Sequence, residues 1–205
     1  MDQAVEQLRS DIIDGSLAPG TPLPEVQVSE WLGIARPTVR EVLLRLQNDG
    51  LVQKQGRGLA LAVTRITRDQ MIDIYIARFH LESAGARSFA TAAPSAREEL
   101  DQSLEALDAA VAGADRITQV RLEARCHTAV VGLTGSQRLV TAHQQLMVEA
   151  RLAAITAGLA DHEMVMANHH KFIELLRSGQ TEAACHQLGE RINAARERLL
   201  KNLPE

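Results

Sequence analysis

Three short amphipathic segments closed by glycines, two apolar segments flanking a Gly-Arg-Gly tip, and helical periodicity from about residue 67 onward together predict a mainly α protein. Its expected architecture is an N-terminal winged helix-turn-helix followed by an all-helical antiparallel bundle. At 205 residues the chain is long enough for one large or two small domains. A hydrophobic share of 45% with only 13 Gly and 6 Pro excludes disordered, collagen-like and coiled-coil classes. The formal charge of −4 excludes an indiscriminate polycation that coats nucleic acid or anionic membrane. Two cysteines, Cys126 and Cys185, are too few for a disulfide framework and suit a reduced, cytoplasmic setting. Acids at Asp2 and Glu6 stand where a secretory signal would carry bases, and no apolar run approaches a membrane span.

Composition places a boundary near residue 64, because 25 of the 30 alanines and all seven histidines follow it. The expected domains are therefore 1–64 and 69–205, with 65–68 as a linker. In the first, Val5, Leu8 and Ile12 share one helical face, Gly15 caps the helix and Pro19-Gly20 forces a turn. A second helix follows Pro24 with Val28, Trp31 and Leu32 inward, and Gly33 closes it. The third buries Val39, Val42, Leu43 and Leu46, carries Pro37 in its first turn and stops at Gly50. Leu44 is an apolar outlier on its outer face, expected to pack under the wing or against the second domain. Leu51–Lys54 and Leu59–Val63 bracket Gly56-Arg57-Gly58 as a small hairpin.

The second domain opens at Thr67, with Asp69 in the first turn and Ile72, Ile76 and Phe79 expected along the inner face. Breaks at Pro94-Ser95, Gly113, Gly135-Ser136, Gly158 and Ser178-Gly179 divide the rest into about six helices with short connections, the pattern of a bundle.

Between Arg36 and Arg57 lie five bases and two acids. A helix whose inner face is Val39, Val42, Leu43 and Leu46 must turn Arg36 and Arg40 outward, one turn apart. Guanidiniums there can fork onto guanine or phosphate in a major groove, and the Thr38 hydroxyl can reach phosphate oxygen. Arg45 adds charge further along the helix, and Arg57 between Gly56 and Gly58 offers a basic tip slim enough for a minor groove. An exposed pair of arginines is by itself ordinary surface; the order of parts around it points to double-stranded DNA.

Ile12 through Leu23, Gly33 through Leu43, Leu46 to Gly50 and Gly56-Arg57-Gly58 together resemble the DNA-binding domain of the GntR superfamily of bacterial transcription regulators. The resemblance covers essentially residues 3–63. Ala35 stands where that family usually has Ser or Thr, and Pro37-Thr38 where it usually has Thr-Pro.

Residues 67–203 resemble the all-helical effector domain of the FadR-type (FCD) branch, on the landmarks Tyr75 through Glu82, Glu123 through His127 with Thr134-Gly135, and His169 ten residues before Gly179. The resemblance implies a divalent metal on a carboxylate and histidines, here Glu123, His127 and His169, beneath a pocket for a small carboxylate effector. Positions 123 and 127 share a helix face, and oxygen with imidazole suits Zn, Ni or Mn. The last histidine of the family pattern is Arg191 here, and a guanidinium cannot ligate a cation. Three readings stay open: the three residues hold a metal; Arg191 with His127 and His169 binds an anion directly; or these are interior polar groups satisfying one another. Arg78 either reaches an effector carboxylate, as its family position implies, or pairs with Glu82 one turn on. Cys126 beside His127 is no nucleophile pair, since helix neighbours point about 100° apart.

The resemblance implies a ligand-responsive repressor, a homodimer on a two-fold operator. The alternative is a metal-dependent enzyme domain with an accessory DNA-binding module, against which stands the lack of a general base beside a complete metal triad.

Overall fold

In the computed structural model, which describes residues 1–55, 60–111, 113–114, 116–157 and 166–202, the N-terminal elements are α1 (Asp2–Ile13), α2 (Glu25–Leu32), α3 (Arg36–Asn48), β1 (Val52–Lys54) and β2 (Leu61–Val63). They are followed by α4 (Arg68–Ser88), a 3-10 turn (Phe89–Thr91), α5 (Pro94–Val111), α6 (Arg116–Gly132), α7 (Gln137–Thr156), α8 (Met166–Arg177) and α9 (Thr181–Asn202). The expected wing tip Gly56-Arg57-Gly58 and the expected break at Gly158 lie outside the described residues. The chain is a winged helix-turn-helix joined to a helical bundle, as its patterning requires.

The N-terminal helices form where apolar spacing and caps coincide. Val5, Leu8 and Ile12 of α1 and Val39, Val42, Leu43 and Leu46 of α3 are all buried, and α3 packs on α1, α2 and β1. Gly33 ends α2 with φ 63°, a left-handed residue that a side chain would strain. Trp31 departs from expectation: it is 51% exposed, because Val28 alone of α2 is fully buried against α3. Leu44 is likewise exposed, at 56%, so among the described residues neither the wing strands nor the bundle covers it.

Strands β1 and β2 pair antiparallel, Val52 opposite Val63 and Lys54 opposite Leu61. A third edge was not legible in the sequence. Gly20 N–H donates to the Val63 carbonyl, Val63 N–H to Thr21 and Leu23 N–H to Leu61, so residues 20–23 extend along β2. The Pro19-Gly20 turn thus feeds the sheet as well as reversing the chain.

Helix α4 organises the bundle, packing on α6, α7 and α9, while α5 packs on α6 and α8 on α9. Thr67 and Gln70 cap it reciprocally, side chain to backbone in both directions. Its expected inner face is corrected: Ile76 is 45% exposed and Ile72 and Phe79 only half-buried, whereas Met71, Ile74, Tyr75, Arg78, Glu82 and Ser83 are buried. The inward stripe of α4 is ionic in its middle, so apolar periodicity does not mark it. At Gly85 the helix meets α6 so closely that an added Cβ would lie 2.6 Å from the Val130 carbonyl carbon.

The two parts touch along α1 and α7. Arg151 Nε of α7 donates to the Ile13 carbonyl of α1 at 2.9 Å. Among the described residues no helix is long and apolar enough to cross a membrane.

Candidate functional site

Arg36 occupies the first position of α3 and Arg40 the next turn, both exposed. Ala35 provides no side-chain cap, consistent with the missing hydroxyl at that position. Arg40 Nε donates to both oxygens of Glu25 at 2.9 Å, and Arg36 Nη2 lies 3.5 Å from Glu25 Oε2. The Arg40 hydrogen bonds hold the Glu25 carboxyl below its ordinary value. Thr38 is half-buried in the first turn. Arg45 is about 140° around α3 from Arg40, and its Nη1 meets Asp2 of α1 at 2.7 Å. Arg36 and Arg40 are thus one surface and Arg45 another.

A second site lies inside the bundle and centres on a residue that sequence reasoning treated only as a partner for Arg78. Glu82 is fully buried, yet Oε1 accepts from Arg78 Nε at 3.1 Å and from His143 Nε2 at 3.2 Å, while Oε2 accepts from His127 Nδ1 at 2.7 Å. Burial pushes this carboxyl up, but His127 and Arg78 outweigh it and, with the hydrogen bonds, keep it well below the carboxylate range. His143 is fully buried and was not anticipated; its Nδ1 faces the Thr128 hydroxyl at 3.1 Å. Burial pulls His143 below its ordinary value despite Glu82, which fits a neutral ring donating through Nε2 and accepting from Thr128. No linear motif joins positions 78, 82, 127 and 143, and only the i, i+4 step from Arg78 to Glu82 could have signalled the cluster.

With its Nδ1 committed to Glu82, His127 presents Nε2 toward Glu123 Oε1, 3.8 Å away. His169 meets His127 edge-to-face with centroids 5.2 Å apart, and Glu123, His127 and His169 each bring one donor atom within 4.8 Å of the others. A buried carboxylate fixing the far nitrogen of an imidazole is how proteins orient a metal-ligating histidine. This oxygen-nitrogen-nitrogen donor set fits a divalent cation.

A cavity of about 870 Å³ opens beside these groups, lined by residues of α4, α6, α7 and α9, by Glu99 of α5 and by Ile13 of α1. Arg78, His127, Glu123 and Arg191 all border it; His169 does not, and joins the site through His127. Six arginines and two glutamates line the cavity, so its charge is positive within a chain of net −4. Arg78 is largely spoken for by Glu82 and by the Tyr75 ring, 5.2 Å from its guanidinium. Arg191 differs: its Nη1 is buried and makes no hydrogen bond among the described residues, with the Phe172 ring 6.0 Å away. Burial pulls this guanidinium below its ordinary value, the mark of a desolvated cation. Cys126, beside His127 in sequence, is buried, and burial pushes its thiol up to about 11.

Residues 1–60 match the model of the gntR family of bacterial regulatory proteins, and residues 73–194 match the FCD domain. The chain is 31% identical over 206 residues to the HTH-type transcriptional regulator Mce2R of Mycobacterium tuberculosis, covering 89% of this chain and 84% of that one. It is 38% identical over 85 residues to the HTH-type transcriptional repressor RspR of Escherichia coli, covering 41% of this chain and 36% of that one. Among solved structures, a GntR transcriptional regulator from Rhodococcus sp. RHA1 superposes with a TM-score of 0.84 at 28% identity, covering 99% of this chain and 98% of the other.

Proposed function

Because the chain belongs to the GntR family of bacterial regulatory proteins and carries an FCD domain, we propose that it is a cytoplasmic, homodimeric repressor that leaves its operator when a small organic anion enters the bundle cavity. That it is a DNA-binding transcription regulator and not an enzyme follows from the family itself. Residues 1–64 read DNA, 65–68 link, and 69–205 bind effector and partner subunit. Arg36, Thr38 and Arg40 face the major groove, Arg57 between Gly56 and Gly58 serves the wing, and Arg45 lies toward the backbone. In a homodimer two such helices enter grooves about 34 Å apart.

The observation that carries the effector reading is Arg191, a cation with a buried and unbonded Nη1 on an electropositive cavity. A carboxylate there gains a charge-assisted hydrogen bond that water-excluding walls strengthen. The same cavity is bordered by Ile13 and by Arg151, which holds the Ile13 carbonyl. Occupancy therefore acts on the seat of α1 and, through it, on the spacing of the recognition helices, by no more than the effector's differential affinity for the two arrangements.

Glu123, His127 and His169 would hold a divalent cation, Zn, Ni or Mn, with Glu82 orienting His127. When bound, the ion supplies a second positive centre for the effector carboxylate. A metal-free reading is favoured by one observation: His127 Nε2 and Glu123 Oε1 stand 3.8 Å apart, against about 3.0–3.4 Å for donors about 2.1 Å from one ion. Elemental analysis of untagged, chelator-free protein decides between them. Stoichiometric metal lost on His127→Ala supports the ion, and its absence from folded protein leaves Arg191 as the anion's anchor. For the DNA assignment, Arg40→Ala should cost about 1–3 kcal/mol of operator affinity, and unchanged binding removes it from the readout.

A further inference from the structure

Arg36 and Arg40 do not stand free on the DNA-facing surface; one carboxylate from the preceding helix joins them. Glu25 sits in the first turn of α2, where a negative charge is favoured by the helix dipole alone. Its side chain nevertheless reaches across to α3. Both its oxygens lie 2.9 Å from Arg40 Nε, and Oε2 lies 3.5 Å from Arg36 Nη2. The Arg40 hydrogen bonds are made through Nε, and among the described residues its two Nη groups make none. That leaves the terminal edge of the guanidinium, the edge that can fork onto guanine O6 and N7, directed away from Glu25. The carboxylate also reduces the charge of this surface from +2 to +1.

We infer that Glu25 is the positioning residue of the DNA-reading helix: it fixes Arg40 for end-on base contact and screens Arg36 and Arg40 from phosphates of non-operator DNA. Orientation favours the operator, where the terminal edge meets its base. Screening disfavours every other sequence, where binding is chiefly counterion release. Glu25 thus widens the gap between specific and non-specific binding from both sides. The inference rests on Arg36 and Arg40 being reading residues, which Arg40→Ala tests separately.

The test uses the full-length protein, a duplex selected by the wild type from a random pool, and a scrambled duplex, each titrated by fluorescence anisotropy across a salt series. Glu25→Gln should bind the scrambled duplex more tightly, steepen its log K against log salt slope by about 1, and lower the selected-to-scrambled ratio about tenfold. Glu25→Asp separates the roles, since it keeps the charge in the first turn of α2 but shortens the reach to Arg40. It should lose selectivity as Glu25→Gln does. Wild-type selectivity in Glu25→Asp would reduce Glu25 to a helix-terminal charge and overturn the inference. So would an unchanged ratio and slope in Glu25→Gln, or a ratio that Glu25→Gln still lowers by the full tenfold in an Arg40→Ala background.

Discussion

Replacing Arg191 with Met removes a cation from the cavity wall, and with it the guanidinium over the Phe172 ring, while keeping much of the apolar stem. In the empty protein this should be neutral or slightly stabilising, because Nη1 is buried without a hydrogen bond and burial already disfavours the charge. In the bound protein it should be costly. A charge-assisted hydrogen bond is worth about 1.5–3 kcal/mol, a loss of roughly 10- to 150-fold in affinity. An acid present at about 100 times its Kd stabilises the wild type by about 2.7 kcal/mol. If Arg191→Met weakens that acid about 30-fold, the same concentration stabilises the variant by about 0.9 kcal/mol. Thermal unfolding against a panel of organic acids measures both numbers, with each protein's own unliganded melting temperature as reference. Equal stabilisation of wild type and Arg191→Met by an acid that releases the operator would refute the reasoning, because the buried cation would then contribute nothing to its recognition.

Gly85→Ala should destabilise the bundle by about 1–3 kcal/mol, since its Cβ would drive α4 off the Val130 backbone of α6; chemical denaturation checks this, and unchanged stability would mean the helices are not in backbone contact. The buried His143 makes a pH prediction. Its folded pKa lies below 6.5, so the unfolded chain takes up the proton first, and stability should fall as pH drops below about 6.5. Glu82, held well below 4.5, keeps its contribution across that range and loses it only in stronger acid. The decline in melting temperature from pH 7 to pH 5 should be shallower in His143→Gln, and an identical decline would acquit His143.

The winged part of the fold was readable because its signals are local and agree with one another: the stripes of α1 and α3 end at glycines, and each stripe is wholly buried. Helix α4 was readable in extent but not in phase. Its inward face carries Arg78 and Glu82, an ion pair satisfied by residues 45 and 61 positions further along from Glu82, so polarity there signals interior rather than solvent. Trp31 and Leu44 erred in the opposite sense, as apolar residues left exposed at 51% and 56%. The metal-type donors Glu123, His127 and His169 were legible through the family resemblance, with which the i, i+4 step of the first two agrees, whereas His143 carried no spacing signal and Glu82 only its step to Arg78. The edge formed by residues 20–23 arises from backbone hydrogen bonds, which side-chain patterning does not encode. Net charge misled until it was localised: both functional surfaces are positive in a chain of net −4.

A crystal structure of the protein as purified bears most directly on how it senses its signal. The expected result is density for an anion within hydrogen-bond distance of the Arg191 guanidinium, on the wall shared with Glu123 and His127. An Arg191 side chain turned onto Glu123 as a closed ion pair, with no anion in the cavity, would contradict it.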